Sequence, residues 1–210
     1  MVDFKNIRTI MFDLGEVIVD LDPKAVIDKM SEYTDIDPAL DMKEVIVNSP
    51  LLIQYETGKI SEEVFLEGMN RLLKSSMKMD QFVGAWNLML KRIPRERLDL
   101  VERMGEKYQT LILSNTNGMH QIRFDEMIRD QTGKDGLHAF VETAHYSHHI
   151  GERKPDDACY HYVIKNSHLD PGKTLFLDDN PFNIASAKKS GIQAIKVDYP
   201  DQIFEILADA

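Results

Sequence analysis

Four short polar clusters, each joined to an apolar run or a helix start, carry most of the chemistry this sequence offers. Asp13 follows Thr9-Ile10-Met11-Phe12 and precedes Leu14-Gly15. Ser114-Asn115 follows Thr110-Leu111-Ile112-Leu113, and Asp178-Asp179-Asn180 follows Thr174-Leu175-Phe176-Leu177. Lys154 lies in Gly151-Glu152-Arg153-Lys154-Pro155-Asp156, where a helix is expected to begin. A carboxylate at the end of a buried strand is poised beyond the sheet, where ligands of open α/β folds bind, and suits a nucleophile. The Ser114 hydroxyl and the backbone N–H groups after it suit phosphate oxygens, and a lysine neutralises both a carboxylate and a bound anion. Two adjacent carboxylates leaving a strand need a compensating cation, and an all-oxygen set favours Mg²⁺. Taken alone each cluster is weak, since Asp-x-Gly is also a common turn tripeptide.

These groups meet only if the apolar runs are strands of one sheet. The run before Asp13 has the uninterrupted apolar character of a strand buried on both faces. Helical patterns start at Pro23 (Ala25, Val26, Ile27, Met30) and at Asp37-Pro38 (Leu40, Val45, Ile46). Leu51 to Tyr55 precede the turn signal Glu56-Thr57-Gly58-Lys59, and Ser61 is a helix cap with Glu62 and Glu63 in the first turn. Phe65, Met69, Leu72 and Leu73 share one helical face, and Phe82, Trp86, Met89 and Leu90 continue it. Residues from about Pro23 to Arg92 therefore read as a helical insertion, with Trp86 in its core and with crossings near Asp20 to Pro23 and Ile93-Pro94. From Pro94 helix and strand alternate, with further strands expected near Ala139 to Thr143 and Ala194 to Val197 and helices from Met119, Pro155, Pro181 and Pro200. This alternation implies right-handed crossovers and a doubly wound parallel sheet. The expected architecture is a Rossmann-like α/β core, residues 1–20 and 94–210, with a small all-helical cap, residues 21–93, inserted after the first strand.

Composition narrows the function classes. The chain has 210 residues, 35 acids against 25 Lys and Arg, and 43% hydrophobic residues, enough for a sizeable core. The net charge of −10 argues against a nucleic-acid or anionic-membrane surface. Cys159 is the single cysteine, which excludes an intramolecular disulfide and fits a core thiol. No apolar run approaches membrane-spanning length and the start carries no secretory pattern, so a cytoplasmic protein acting on a small molecule is expected, its oligomeric state open.

In their order and flanks the clusters resemble the haloacid dehalogenase-like superfamily of hydrolases. Phe12 to Asp20 matches its first motif, Leu113-Ser114-Asn115-Thr116-Asn117 the second, Arg153-Lys154-Pro155 the third, and Phe176-Leu177-Asp178-Asp179-Asn180 with Asn183 the fourth. The insertion resembles the family's first cap type, and the whole chain, including the run Tyr55-Glu56-Thr57-Gly58-Lys59-Ile60-Ser61, is most similar to bacterial α-D-glucose-1-phosphate phosphatases. The resemblance implies a Mg²⁺-dependent phosphatase in which Asp13 attacks phosphorus to give an aspartyl-phosphate. It implies catalytic roles for Asp13, Ser114 and Lys154, substrate contacts at Leu14, Gly15, Ser114, Asn115 and Lys154, and a metal held by Asp13, the Gly15 carbonyl and Asp179 with Asp178 beside it.

One position departs from the family pattern. Its phosphatases usually carry an aspartate two residues after the nucleophile to protonate the leaving group, and here that residue is Gly15. General acid catalysis is worth ~10²–10⁴-fold, so Gly15 favours leaving groups that depart without a proton, such as a sugar-1-phosphate's anomeric oxygen, unless Glu16, Asp20 or a substrate-bound water substitutes. His145, His148 and His149 invite a zinc reading, but no acid or cysteine completes a set, and a loop at the substrate mouth or in solvent is expected. A 2-haloacid dehalogenase uses the same aspartate without metal, but would not be expected to keep Asp178-Asp179. A phosphate-binding regulatory protein without turnover is the rival of another class.

Overall fold

The computed structural model describes residues 3–34 and 42–210. Its strands are β1 (Thr9–Phe12), β2 (Asp20–Leu21), β3 (Leu90–Arg92), β4 (Gln109–Ser114), β5 (Thr143–Tyr146), β6 (Thr174–Asp178) and β7 (Gln193–Lys196). Five of them form a parallel sheet in the order β5-β4-β1-β6-β7. Side chains alternate across β1, so Ile10 and Phe12 enter one buried cluster with Ile112, Leu175 and Leu177, while Met11 enters another with Leu111, Leu113 and Phe176. Both faces are covered, which is why these strands read as continuous apolar runs. The central position of β1 puts Asp13 between the ends of β4 and β6, where Ser114 and Asp178 stand.

The insertion carries α1 (Pro23–Ser31), α2 (Met42–Val47), α3 (Pro50–Glu56), α4 (Glu62–Leu72) and α5 (Met79–Trp86). The helix start expected at Asp37-Pro38 lies outside the described residues, and its later part is α2. Local signals set the other starts: the Asp22 side chain accepts the Ala25 N–H ahead of Pro23, and Ser61 accepts the Val64 N–H. These helices enclose a cluster of their own, built on Val26, Met30, Tyr55, Phe65, Met69, Leu73, Phe82 and Trp86. Tyr55 and Phe65 stack at 4.2 Å between centroids, and Trp86 meets Phe65 edge-on at 5.3 Å.

After the insertion come α6 (Arg95–Met104), α7 (Gly118–Thr132), α8 (Ser147–Ile150), α9 (Asp157–Asn166), α10 (Pro181–Lys189) and α11 (Gln202–Ile206). Two details differ from the sequence reading. The strand expected near Ala139 to Thr143 lies later, at β5, because Phe140 and Val141 fill the core beside a 3₁₀ turn at Leu137–Ala139 instead of joining the sheet. The stems of the insertion are not plain linkers either, since β2 and β3 pair antiparallel where the chain leaves and re-enters the sheet region.

The ribbon of β2 and β3 is fixed by charge. Arg97 of α6, 2% exposed, donates to Asp20 at 2.6 Å, to Asp201 at 2.9 and 3.0 Å, and to the Ile18 carbonyl at 3.4 Å. Arg92 of β3 also pairs with Asp20. Burial pushes the Asp20 carboxyl up, but the two guanidinium groups outweigh it and hold it below the ordinary range. On the far side of the insertion, Gly58 adopts φ +65°, and a Cβ there would lie 2.4 Å from the His148 carbonyl oxygen. Only glycine permits both that turn and that approach.

Asp20→Ala leaves a buried guanidinium facing only the more exposed Asp201. Breaking a buried pair in this way costs about 3 kcal/mol, or roughly 6–12 °C in Tm for a chain of this size. Calorimetry of the variant checks this, and an unchanged Tm would remove Asp20 from the structural role given to it here.

Candidate active site

The polar groups foreseen at the strand ends converge. Lys154, 1% exposed, donates from Nζ to Asp13 Oδ1 at 2.7 Å and to Asp178 Oδ2 at 2.7 Å. Asp13 is itself held by its backbone N–H, which donates to the Leu177 carbonyl at 2.8 Å. Asp178 is saturated: Oδ1 accepts from the Asn180 N–H at 2.8 Å, and Asn183 Nδ2 donates to both oxygens at 3.0 Å. Asp179 is half-buried, and oxygens of Asp13, Asp178 and Asp179 lie within 4.8 Å of one another.

Three carboxylates against one ammonium set the electrostatics. Burial raises the Asp13 carboxyl to about 7, with Lys154 opposing the rise and Asp178 adding to it. Burial would lower the Lys154 ammonium, but Asp13 and Asp178 hold it above its usual value. Asp179 is raised by burial and then by the charge of Asp178. This all-oxygen donor set with negative charge left over fits a hard divalent cation such as Mg²⁺. Asp178 spends its oxygens on Asn180, Asn183 and Lys154, which makes it the group that orients the lysine.

Ser114 is buried at the end of β4, next to Asn115. The Asn115 side chain is not free: Nδ2 donates to the Lys154 carbonyl at 2.8 Å and Oδ1 accepts the Lys154 N–H at 2.9 Å. It therefore pins the lysine loop, and what it leaves for an anion is backbone. The next link, the Thr116 N–H donating to Ser147 Oγ at 2.9 Å, ties the same turn to α8.

Leu14 and Gly15 line a cavity of about 200 Å³ beside these groups, together with Ser114, Asn115, Trp86 and Glu56. A Cβ at Gly15 would lie 2.8 Å from Leu21 Cδ1, so the space a side chain would take there is occupied by an apolar side chain of β2. The two substitutes for the missing acid are otherwise engaged. Glu16, at φ +55°, accepts the Leu21 N–H at 2.9 Å, and Asp20 is held by Arg92 and Arg97.

The histidines do not form the loop expected of them. His145 is buried in β5 with Nε2 2.7 Å from Ser167 Oγ, while His148 and His149 belong to the single turn α8. Cys159 is a buried thiol that burial pushes up to about 12, in keeping with a core position. Trp86 packs in the insertion's cluster and also lines the cavity. The sequence reading missed His120, whose ring stacks on Trp86 at 5.4 Å and whose Nε2 lies 3.1 Å from the Trp86 carbonyl. Burial lowers His120 to about 4, so it is neutral near pH 7. It also missed Arg153 Nη2, 3.1 Å from Glu56 Oε2, an ion pair without hydrogen-bond alignment that joins α3 to the lysine loop. Arg153 lay within a quoted motif and His120 just beyond one, but nothing in their spacing announced the contacts.

A parallel sheet with a carboxylate–lysine centre at its carboxyl end and an insertion after β1 defines an α/β enzyme of the doubly wound kind. The model of the haloacid dehalogenase-like hydrolases matches residues 123–197 of the chain. The chain is 27% identical over 192 residues to D-ribitol-5-phosphate phosphatase of Bacteroides thetaiotaomicron, covering 90% of this chain and 91% of that one. A haloacid dehalogenase-like family hydrolase of Porphyromonas gingivalis superimposes with a TM-score of 0.86 at 26% identity, covering 97% of each chain. A haloacid dehalogenase family enzyme of B. thetaiotaomicron, solved with magnesium and inorganic phosphate, gives 0.81 at 26% identity, covering 90% of this chain and 93% of that one.

Lys154→Met leaves the Asp13 and Asp178 carboxylates facing each other without their cation. The variant should lose about 3–5 kcal/mol. Added Mg²⁺ should raise its Tm by more than it raises the parent's. Thermal melts with and without Mg²⁺ measure both, and an equal metal effect on the two proteins would contradict the shared-charge account.

Proposed function

We propose that the protein is a Mg²⁺-dependent phosphatase that hydrolyses a small phosphate monoester through an aspartyl-phosphate on Asp13. The observation that carries this reading is the Lys154 ammonium bridging Asp13 and Asp178 at 2.7 Å each, with Asp179 in the same carboxylate cluster. The phosphatase and the magnesium–phosphate complex among its relatives support it. In this reading residues 1–20 and 94–210 are the catalytic core, and residues 21–93 are the cap that covers the leaving group.

Ionised Asp13 attacks phosphorus while the ester oxygen departs toward the cavity with the bonding electron pair. Lys154 stays charged, steadies the carboxylate and neutralises the phosphoryl group as charge shifts onto it. Asn115 holds Lys154 in place through its backbone, and Asp178 aims the ammonium. Ser114 and the Asn115 backbone N–H take phosphoryl oxygens, the Thr116 N–H being spent on Ser147. Water then displaces phosphate from Asp13, returning the carboxylate and leaving one proton for the released alkoxide. Asp13, the Gly15 carbonyl and Asp179 would hold Mg²⁺, which would supply Lewis-acid neutralisation of the phosphoryl oxygens.

With Gly15 beside Leu21, and with Glu16 and Asp20 committed elsewhere, the departing oxygen meets no proton donor among the described residues. The site therefore favours esters whose oxygen leaves as a stable anion. An anomeric sugar phosphate and an aryl phosphate are both esters of this kind.

Asp13→Asn should abolish turnover, by at least about 10³-fold, with Tm preserved, and chelation of Mg²⁺ should do the same to the parent. Steady-state phosphate release with acetyl phosphate checks both. Activity within tenfold of the parent would remove Asp13 as nucleophile, full activity in chelator on a 2-haloacid would select the dehalogenase chemistry, and phosphate binding without release would select the regulatory one. Gly15→Asp combined with Leu21→Ala should restore a leaving-group acid and speed hydrolysis of an alkyl phosphate by about tenfold or more. Gly15→Asp alone should gain less, because Leu21 stands in its space. A flat response of the double variant in single-turnover kinetics, with its Tm intact, would mean that another donor already serves.

A further inference from the structure

The cavity beside the phosphoryl site has walls of one chemical kind. Leu21 comes from the ribbon, Phe124 from α7, and Val26, Ile27, Leu52 and Met89 from the insertion. Its polar lining is concentrated at the strand end, in Ser114, Asn115 and Thr116, where the phosphoryl group sits in the reading above. Away from that end the polar side chains have partners or stand at the rim. Both ring nitrogens of His120 lie 3.1 Å from protein partners, Glu56 pairs with Arg153, and Lys43 is exposed. Among the described lining residues, the buried polar side-chain atoms without a hydrogen-bond partner are Trp86 Nε1 and Glu56 Oε2. Away from the strand end, Lys43, Glu56, His120 and the Trp86 indole are the polar side chains among the described lining residues, few for a sugar or a pentitol. Each hydroxyl buried without a partner costs about 1–3 kcal/mol. The volume, about 200 Å³, is below the ~300–1,000 Å³ common for ligand sites, so the body of the ligand is small.

We propose, resting on the phosphatase reading, that the substrate is a phosphate ester of a small apolar alcohol with an acidic hydroxyl, of the aryl type, whose ring occupies this cavity. Two independent features select it. The apolar walls select the body of the alcohol, and the Gly15–Leu21 contact selects an oxygen that leaves as a stable anion. Hydrolysis consumes one water: the P–O bond to the aryl oxygen breaks with its electrons on that oxygen, water supplies the hydroxyl that ends on phosphate, and the released proton returns to solvent or to the aryl oxide.

The test separates the two features by comparing kcat/KM for phenyl, cyclohexyl and myo-inositol-1-phosphate, with acetyl phosphate measuring phosphoryl transfer apart from the cavity. Cyclohexyl phosphate and the inositol phosphate share a ring skeleton and differ in hydroxyls, so cyclohexyl should be preferred by about tenfold or more. Phenyl phosphate should exceed cyclohexyl phosphate by a further tenfold or more, as leaving-group acidity takes over. Leu52→Ser, at a half-buried wall position, should shrink the cyclohexyl-to-inositol ratio several-fold, with a melting curve to confirm folding. An inositol phosphate hydrolysed as well as or better than cyclohexyl phosphate, with acetyl phosphate turned over, overturns this proposal and leaves the phosphatase reading standing. No release from acetyl phosphate overturns both.

Discussion

The structure depends on one buried ammonium. Lys154 stands between Asp13 and Asp178 at the carboxyl ends of neighbouring strands, and without it the two strands would bring like charges together inside the protein. Taking ions out of water costs several kcal/mol each, and mutual attraction repays this only when geometry and remaining hydrogen bonds are good. Here they are. Asn183 and the Asn180 N–H complete the shell of Asp178, and the Leu177 carbonyl fixes the backbone of Asp13. The arrangement contributes position more than stability. It holds a carboxylate in place and still leaves negative charge that a divalent ligand can satisfy.

The lysine arrives from a loop far from both carboxylates in sequence, so the loop needs its own anchor. Asn115 supplies it with two bonds to the Lys154 backbone, and Ser147 ties the following residue to α8. The strand end expected to hold only ligand thus also holds protein. Glu56 and Arg153 extend the same logic to the insertion, joining the residue before Lys154 to the end of α3. The charge centre, the lysine loop and the covering helices form one connected unit.

Much of this was legible in the sequence because the physics is local. A strand buried on both faces must be apolar throughout, so β1, β4 and β6 announced themselves, and the polar residues at their ends were visible as interruptions. Helix starts at Pro23 and Ser61 were legible because a cap acts within three residues. The edge strand β5 was misplaced because Phe140 and Val141 are more apolar than Thr143 to Tyr146, though they pack beneath a turn. The Arg97–Asp20 and Asn115–Lys154 contacts join residues 77 and 39 positions apart, and nothing in local composition encodes such a meeting. Leu21 was read as the edge of a linker, because its role depends on where the ribbon folds it, against Gly15.

The approach of Gly58 to His148 has a mechanical meaning. The two backbones meet as bare surfaces, a missing Cβ against a carbonyl oxygen, and nearby the Glu56–Arg153 ion pair and the Met119 N–H, which donates to the Tyr55 hydroxyl at 3.4 Å, join the insertion to the core. On the opposite side, β2 and β3 are paired and pinned by Arg97. The insertion is thus bolted at one edge and merely seated at the other. Among the described residues the seated edge is held by side-chain contacts, with no ladder of hydrogen bonds across it. An asymmetry of this kind gives the insertion a fixed side and a lightly held side without any dedicated hinge sequence.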